Sequence, residues 1–381
     1  MNHKRWNTIL SYVLAVLLTM SVTVAVMLGI FTYKQRGSTK LQVLEQLILD
    51  CFIGEVDQTA MEDAAASAMI GALGDRWSYY IPADQYASYM EQMNNAYVGV
   101  GVTITPQEGG GFLVLDVTEG GPAKEAGILV DDVIVAVDGQ SILEISMDES
   151  KTLIQGAEGT TVAITVLRAG EEKTITVTRR AIRTPVVGAQ MLEDNIGFIA
   201  IYNFNSNCAQ ETISAIEDLM AQGAQKLIFD VRNNPGGYAS ELVKVLDYLL
   251  PEGKLFTTVD YAGNTHTDMS DANCLQIPMA VLVNGNSYSA AEFFAAAMAE
   301  YDAAVVVGEQ TCGKGYFQTT YLLPDGSAVG LSIGKYYTPN GKSLADVGVT
   351  PDIVVSNADA EIGEDPLSDP QIFAAVEALR S

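Results

Sequence analysis

Between Thr8 and Tyr33 the chain runs for 26 residues without a charged side chain. A helix needs about 20 apolar residues to cross the hydrocarbon core of a bilayer, so this run reads as a span and the rest of the chain must fold on one side of a membrane. A cleavable secretory signal has a shorter apolar core, about 7–15 residues, closed by a small-x-small site. No A-x-A follows this run. The expectation is therefore an uncleaved single-pass anchor, with a long cleaved signal as the alternative. Lys4 and Arg5 precede the run and Lys34 and Arg36 follow it, so the positive-inside balance is even and charge alone does not orient the body.

The net charge is −26, and because the first 36 residues hold four basic side chains and no acid, the remainder carries −30. Such a body repels nucleic acid, which removes DNA and RNA as partners. Cys51, Cys208, Cys274 and Cys312 are scattered and no C-x-x-C occurs, so neither a zinc knuckle nor a thioredoxin motif is supported. Free or buried thiols are expected, with one disulfide left open for an extracytoplasmic body. H-E-x-x-H is also absent.

Past the anchor the pattern predicts a multidomain α/β (α+β) protein in five parts. Residues 1–36 are a short tip, which the family resemblance given below makes cytoplasmic, and the transmembrane helix. Residues 37–95 are a helical segment, with apolar residues recurring at three and four between Leu41 and Leu73. Those helices carry apolar surface for packing within the chain or for homo-oligomers. From 96 to 182 short β-rich runs alternate with glycine-rich turns: "GGPAKEAGI" is a short helix closed by Gly127, "DDVIVAVDGQSI" is strand, Asp-Gly turn and strand, and a hairpin turns near Gly170. The sum is a small β-barrel with two helices. From 183 to 356 strands alternate with helices, which implies crossover units in one sheet, and Pro324-Asp325-Gly326 turns a late hairpin. Residues 357–381 are an acidic tail and a last helix.

"NGNSYSAAEFFAAAM", Asn284 to Met298, raises the chemical question. Ser289 and Glu292 have the spacing of a capping box. The same geometry also suits a nucleophile, because a side chain at a strand end where a helix begins lies beside free N–H groups and the positive end of the helix dipole. A serine hydroxyl needs a base, and the only histidines are His3 and His266. His3 precedes the anchor and His266 sits in a polar loop. G-x-S-x-G is absent. Lysine replaces histidine when burial depresses its pKa. Lys314, in "EQTCGKGYFQ", has glycine on both sides, which lets the backbone pass close to other groups. Read as opening a strand, Lys314 shares a face with Gln318, four residues on. The alternative for Lys314 is a solvated turn lysine. "VRNNPGGY" is a tight turn with exposed amides, suited to an oxyanion and equally to a plain turn.

Taken in order, "DVRNNPGG", "NSYSAAEFFAAAM", "VVVGEQTCGKGYFQ" and "YYTPNGKSLADVGVTPDIVV" resemble the carboxyl-terminal processing peptidases, the tail-specific serine proteases of family S41. "YVGVGVTI…GGPAKEAGI…DDVIVAVDGQSI" resembles that family's PDZ domain, and "GDRWSYYIPADQY" the aromatic lead-in to it. The resemblance covers about residues 40–380. It implies a ClpP/crotonase-like α/β protease core over 183–356, and a serine endopeptidase that cleaves proteins near free C-termini without a cofactor. Ser289 stands three residues before Glu292 and 25 before Lys314, as nucleophile and base do in the family. The resemblance thus makes Ser289 the nucleophile, Lys314 the general base and Gln318 its orienter, with Ser287 set aside and oxyanion amides at Gly236, Gly237 and Ala290. The loop Tyr97, Val98, Gly99, Val100, Gly101, Val102 becomes the site that captures the substrate's terminal carboxylate as the tail adds a strand, although Gly99 and Gly101 also fit a bulge. The body is placed outside the cytoplasmic membrane. Two positions depart from the family's pattern: Tyr288 stands where a small residue is usual, and Cys312 where an aromatic is usual. Two other readings remain, an inactive PDZ scaffold that binds protein C-termini and a cysteine peptidase built on Cys312 and His266.

Overall fold

A computed structural model of the chain describes residues 12–14, 16–25, 27, 39–358, 360 and 363–380. Residues 12–14, 16–25 and 27 are helical, while much of the Thr8–Tyr33 run and all of residues 1–11 lie outside the described residues. Among the described residues no helix is long and apolar enough to cross a membrane.

The chain forms two compact units, Met1–Ala72 and Leu73–Ser381. In the first, α1 (Lys40–Cys51) opens with a reciprocal capping box: Gln42 Oε1 accepts Thr39 N–H at 2.9 Å and Thr39 Oγ1 accepts Gln42 N–H at 3.4 Å. α2 (Gln58–Gly71) is capped by Asp57, which accepts Ala60 N–H at 2.9 Å. Neither helix buries a residue.

The second unit begins earlier than the sequence division at residue 95. Its first strand, β1 (Tyr79–Ile81), pairs with residues 328–330, so the aromatic lead-in belongs to the body. α3 (Ala83–Asn94) ends on Asn95 in the left-handed conformation and delivers the chain to β2 (Ala96–Gly99). The small barrel follows: β3 (Val102–Pro106), β4 (Phe112–Val117), α4 (Pro122–Ala126), β5 (Val133–Val137), β6 (Gln140–Ser141), α5 (Met147–Ile154), β7 (Thr161–Arg168), β8 (Glu171–Thr178) and β9 (Arg180–Arg183). Strand order is β3-β4-β5-β7-β8 with β6 beside β5, while β2 and β9 form a separate pair. Alternate residues of β7, Val162, Ile164 and Val166, point into a core of their own with Phe112, Ile134 and Val177, as a sheet with one wet face requires. Gly127, at φ 94°, closes α4 as the sequence predicts.

The large sheet runs β10 (Val187–Leu192), β11 (Ile196–Ile201), β12 (Lys226–Asp230), β15 (Met279–Val283), β16 (Ala304–Gly308) and β19 (Ile353–Val354), all parallel except β10. α6 (Cys208–Ala221), α7 (Ala239–Leu249) and α8 (Ala290–Glu300) cover one face. Residues Ile199, Phe229, Val281 and Val306 point toward them; Phe198, Ile228, Leu282 and Val307 point the other way, onto α9 (Pro370–Arg380). Burial on both faces explains why β15 is uniformly apolar. The C-terminal helix is therefore a layer of the core, with Ile372, Ala375 and Val376 buried. A second sheet, antiparallel, joins β13 (Gly253–Asp260), β14 (Thr265–Ser270), β17 (Tyr316–Leu322) and β18 (Ala328–Tyr337) to β1. All four cysteines are free.

Candidate active site

The two serines of the Asn284–Ser289 turn have different fates. Ser287 is fully buried; its hydroxyl donates to the Val231 carbonyl at 2.7 Å and accepts Asn284 N–H at 3.1 Å, tying the turn to the end of β12. Ser289 is the N-cap of α8 and takes φ 58°, ψ −124°. A non-glycine residue there costs on the order of 1–3 kcal/mol and persists only where its surroundings fix it.

Glu292 fixes it. This side chain is fully buried, and its carboxylate accepts four donors. Oε2 takes Ser289 N–H at 3.0 Å and Lys314 N–H at 2.8 Å; Oε1 takes Thr311 Oγ1–H at 2.6 Å and Gly313 N–H at 2.7 Å. The sequence marks Glu292 as half of a capping box, and that half is present. Its larger role, clipping the serine turn to the lysine loop, carries no local signal beyond the glycines around Lys314.

The Asn-Pro-Gly-Gly turn lies against the serine. A Cβ on Gly236 would sit 2.8 Å from Ser289 Cβ and 2.9 Å from Ala290 N, and one on Gly237 would meet the Phe204 carbonyl carbon at 2.3 Å. Glycine at both positions is thus a packing requirement. The Gly236 amide is already used, donating to Asn234 Oδ1 at 2.8 Å. Among the described residues no backbone bond takes up the amides of Gly237 or Ala290. Beside Ser289 lies a small apolar slot lined by Gly237, Leu242, Phe256, Phe293 and Tyr336.

Lys314 departs from the expectation that it opens a strand. β17 starts only at Tyr316 and is bulged between Phe317 and Gln318, because the clip on Gly313 and Lys314 holds the preceding residues in a loop. The same-face relation of Lys314 and Gln318 does not arise. Gln318 Nε2 donates to Ser332 Oγ at 3.0 Å and to the Tyr316 carbonyl at 3.3 Å. The Lys314 Nζ lies 4.8 Å from the ring centre of Trp77 and 5.7 Å from that of Tyr288. Burial pushes the amine's pKa below the ordinary lysine value, against the opposing pull of Asp75, Cys312 and Glu292.

Trp77, which the sequence reading takes only as part of the lead-in, is thus a wall of the site. Arg76 also stacks on its ring, at 4.2 Å, and donates to the Cys312 carbonyl at 3.3 Å. His266 lies on β14, 73% exposed, with Asp268 Oδ1 at 3.3 Å; no hydrogen bond joins it to Cys312 among the described residues. In the barrel, Tyr97, Val98 and Gly99 are spent on pairing with β9. Val100 and Gly101 turn the chain into Val102 and β3, their carbonyls accepting Ala123 N–H at 2.8 Å and Thr118 N–H at 3.0 Å.

Residues 195–355 match the model of peptidase family S41, and residues 113–168 that of a PDZ domain. The chain is 32% identical to the carboxy-terminal processing protease CtpA of Bacillus subtilis (strain 168) over 317 residues, covering 82% of this chain and 68% of that one. It is 30% identical over 366 residues to the "Probable CtpA-like serine protease" of Staphylococcus haemolyticus (strain JCSC1435), covering 93% and 73%. Among solved structures it is similar to the photosystem II D1 C-terminal processing protease, at 28% identity and a TM-score of 0.49, covering 85% of this chain and 89% of that one.

Proposed function

The chain belongs to peptidase family S41 and is a C-terminal processing serine peptidase with a PDZ domain; from that premise we propose that Ser289 is its nucleophile, Lys314 its general base and Gln318 the side chain that orients the base. The observation that carries this reading is Glu292, whose one carboxylate holds the amides of both Ser289 and Lys314. With its amine neutral, Lys314 takes the Ser289 proton as Oγ attacks the scissile carbonyl. The oxyanion that forms meets the amides of Gly237 and Ala290, at the positive end of α8. Lys314 then passes its proton to the leaving amine, and water activated by the same lysine frees the acyl group. The apolar lining of the slot supports an apolar residue at the position that donates the carbonyl, but its volume of about 10 Å³ admits no side chain until the slot widens.

The PDZ domain supports recognition of substrate tails. β3 is the edge of its sheet, open to an added strand, and the amides of Val100 and Gly101 are the group suited to a terminal carboxylate. The uncharged run Thr8–Tyr33 supports a single-pass anchor with the peptidase outside the cytoplasm, and the unburied faces of α1 and α2 support pairing between chains. The test of the site is cleavage of casein and of a peptide with a free C-terminus by wild type and Ser289→Ala. Wild type is expected to cleave both and the variant neither; equal cleavage by the two would remove Ser289 from the chemistry.

A further inference from the structure

The proposed base rests against a short turn, Asp75 to Ser78, and the proposed orienter is tied to that turn through Ser332. Among the described residues the Lys314 amine has no hydrogen-bond or ion-pair partner, neither Ser289 nor Gln318. It rests against the faces of Trp77 and Tyr288, both within the range at which an aromatic ring attracts a cation. The turn that carries Trp77 is tied at two points. Asp75 accepts Trp77 N–H at 3.1 Å and Ser78 Oγ–H at 2.6 Å. Ser78 Oγ in turn accepts Ser332 N–H at 3.0 Å, and Ser332 Oγ holds Gln318 Nε2 at 3.0 Å. Hydrogen bonds thus link Asp75 to Ser78, Ser78 to the backbone of Ser332, and the Ser332 side chain to Gln318, while the tryptophan on the same turn lies against the lysine.

Resting on the catalytic assignment above, we infer that Trp77 is a positioning residue that keeps Lys314 off Ser289, and that the Asp75–Ser78 turn is a latch which must shift before base, orienter and nucleophile meet. Trp77 does not touch the reacting atoms; it acts through the lysine. A ring face favours the ammonium over the amine, so the latch opposes both the position and the charge state that catalysis needs. The other groups that face the amine are Asp75 on the latch, Glu292 on α8, Cys312 on its own loop and the Tyr288 phenol. Arg76 stacks on Trp77 and steadies the ring from the same turn.

The experiment uses the full chain and follows kcat, KM and their pH dependence on one tail peptide, with folding checked by circular dichroism. Trp77→Leu keeps apolar cover over the amine and removes the ring face. It is expected to raise kcat several-fold at neutral pH, leave KM near wild type and move the acid limb of the profile to lower pH. Trp77→Phe, a smaller ring face, falls between. Ser78→Ala breaks the link to Ser332 without altering a charge, and it too is expected to raise kcat, which keeps the test decisive where the tryptophan variants fail to fold. A Trp77→Leu enzyme with unchanged or lower kcat, or with an acid limb moved to higher pH, overturns the latch and leaves Trp77 as a water-excluding wall. Ser289→Ala is run alongside: activity in that variant would sink the catalytic assignment itself, whatever the latch variants do.

Discussion

At the scale of single residues, the site turns on Glu292. A buried carboxylate is tolerated when its oxygens are fully hydrogen-bonded, and here four donors converge on it. Removing it leaves buried N–H groups unpaired, each at a cost of about 1–3 kcal/mol, and releases the strained backbone of Ser289. Glu292→Ala is therefore expected to lower thermal stability by about 3 kcal/mol or more and to abolish turnover, read by calorimetry and by peptide cleavage. Full activity in that variant would show that serine turn and lysine loop hold their places without the clip. Lys314 adds a pH dependence with a definite sign. As the proposed base it must be neutral, and burial lowers its pKa from the ordinary value, so kcat is expected to rise with pH through a range below that of a free lysine. The order of the serine, glutamate and lysine was legible in the sequence. What the sequence did not convey was contact across 236 residues, such as Arg76 with the Cys312 carbonyl, or a loop where alternation suggested a strand at Lys314. Nor did the Asn-Pro-Gly-Gly turn reveal that Asn234 would occupy the Gly236 amide.

At the scale of elements, periodicity carried far. The hairpins at Gly170 and at Pro324-Asp325-Gly326 and the βαβ alternation all correspond to observed elements. The last helix reads as a tail from its acidic lead-in, yet its Ile372, Ala375 and Val376 fill the second face of the sheet; only a complete layer count requires it there. The PDZ domain is inserted between β2 and β9, whose antiparallel register sets Gly99 opposite Arg180 and Ala96 opposite Arg183. Entry and exit are thus one strand spacing apart. Replacing residues 100–179 with a two-residue turn is expected to leave a folded peptidase that cleaves casein but has lost its preference for a free C-terminus. Unchanged discrimination among tail peptides would take substrate selection away from the PDZ domain.

At the scale of the whole molecule, an acidic body of charge −30 follows a 26-residue uncharged run. We expect the protein to remain in membranes after alkaline carbonate extraction, and exogenous protease to reach the catalytic body in intact spheroplasts. Release by carbonate, or protection from the protease, would contradict the proposed anchor and its orientation. The proposed chemistry comes down to one serine and one lysine. The most direct measurement is mass spectrometry of the acyl-enzyme, formed by an activated ester of an apolar amino acid on wild type, Lys314→Arg and alkylated protein. The account predicts a single adduct on Ser289, absent from Lys314→Arg because a guanidinium does not deprotonate, and unaffected by alkylation of Cys312. An adduct on Ser287 or Cys312, or an equal yield at Ser289 in the arginine variant, would contradict it.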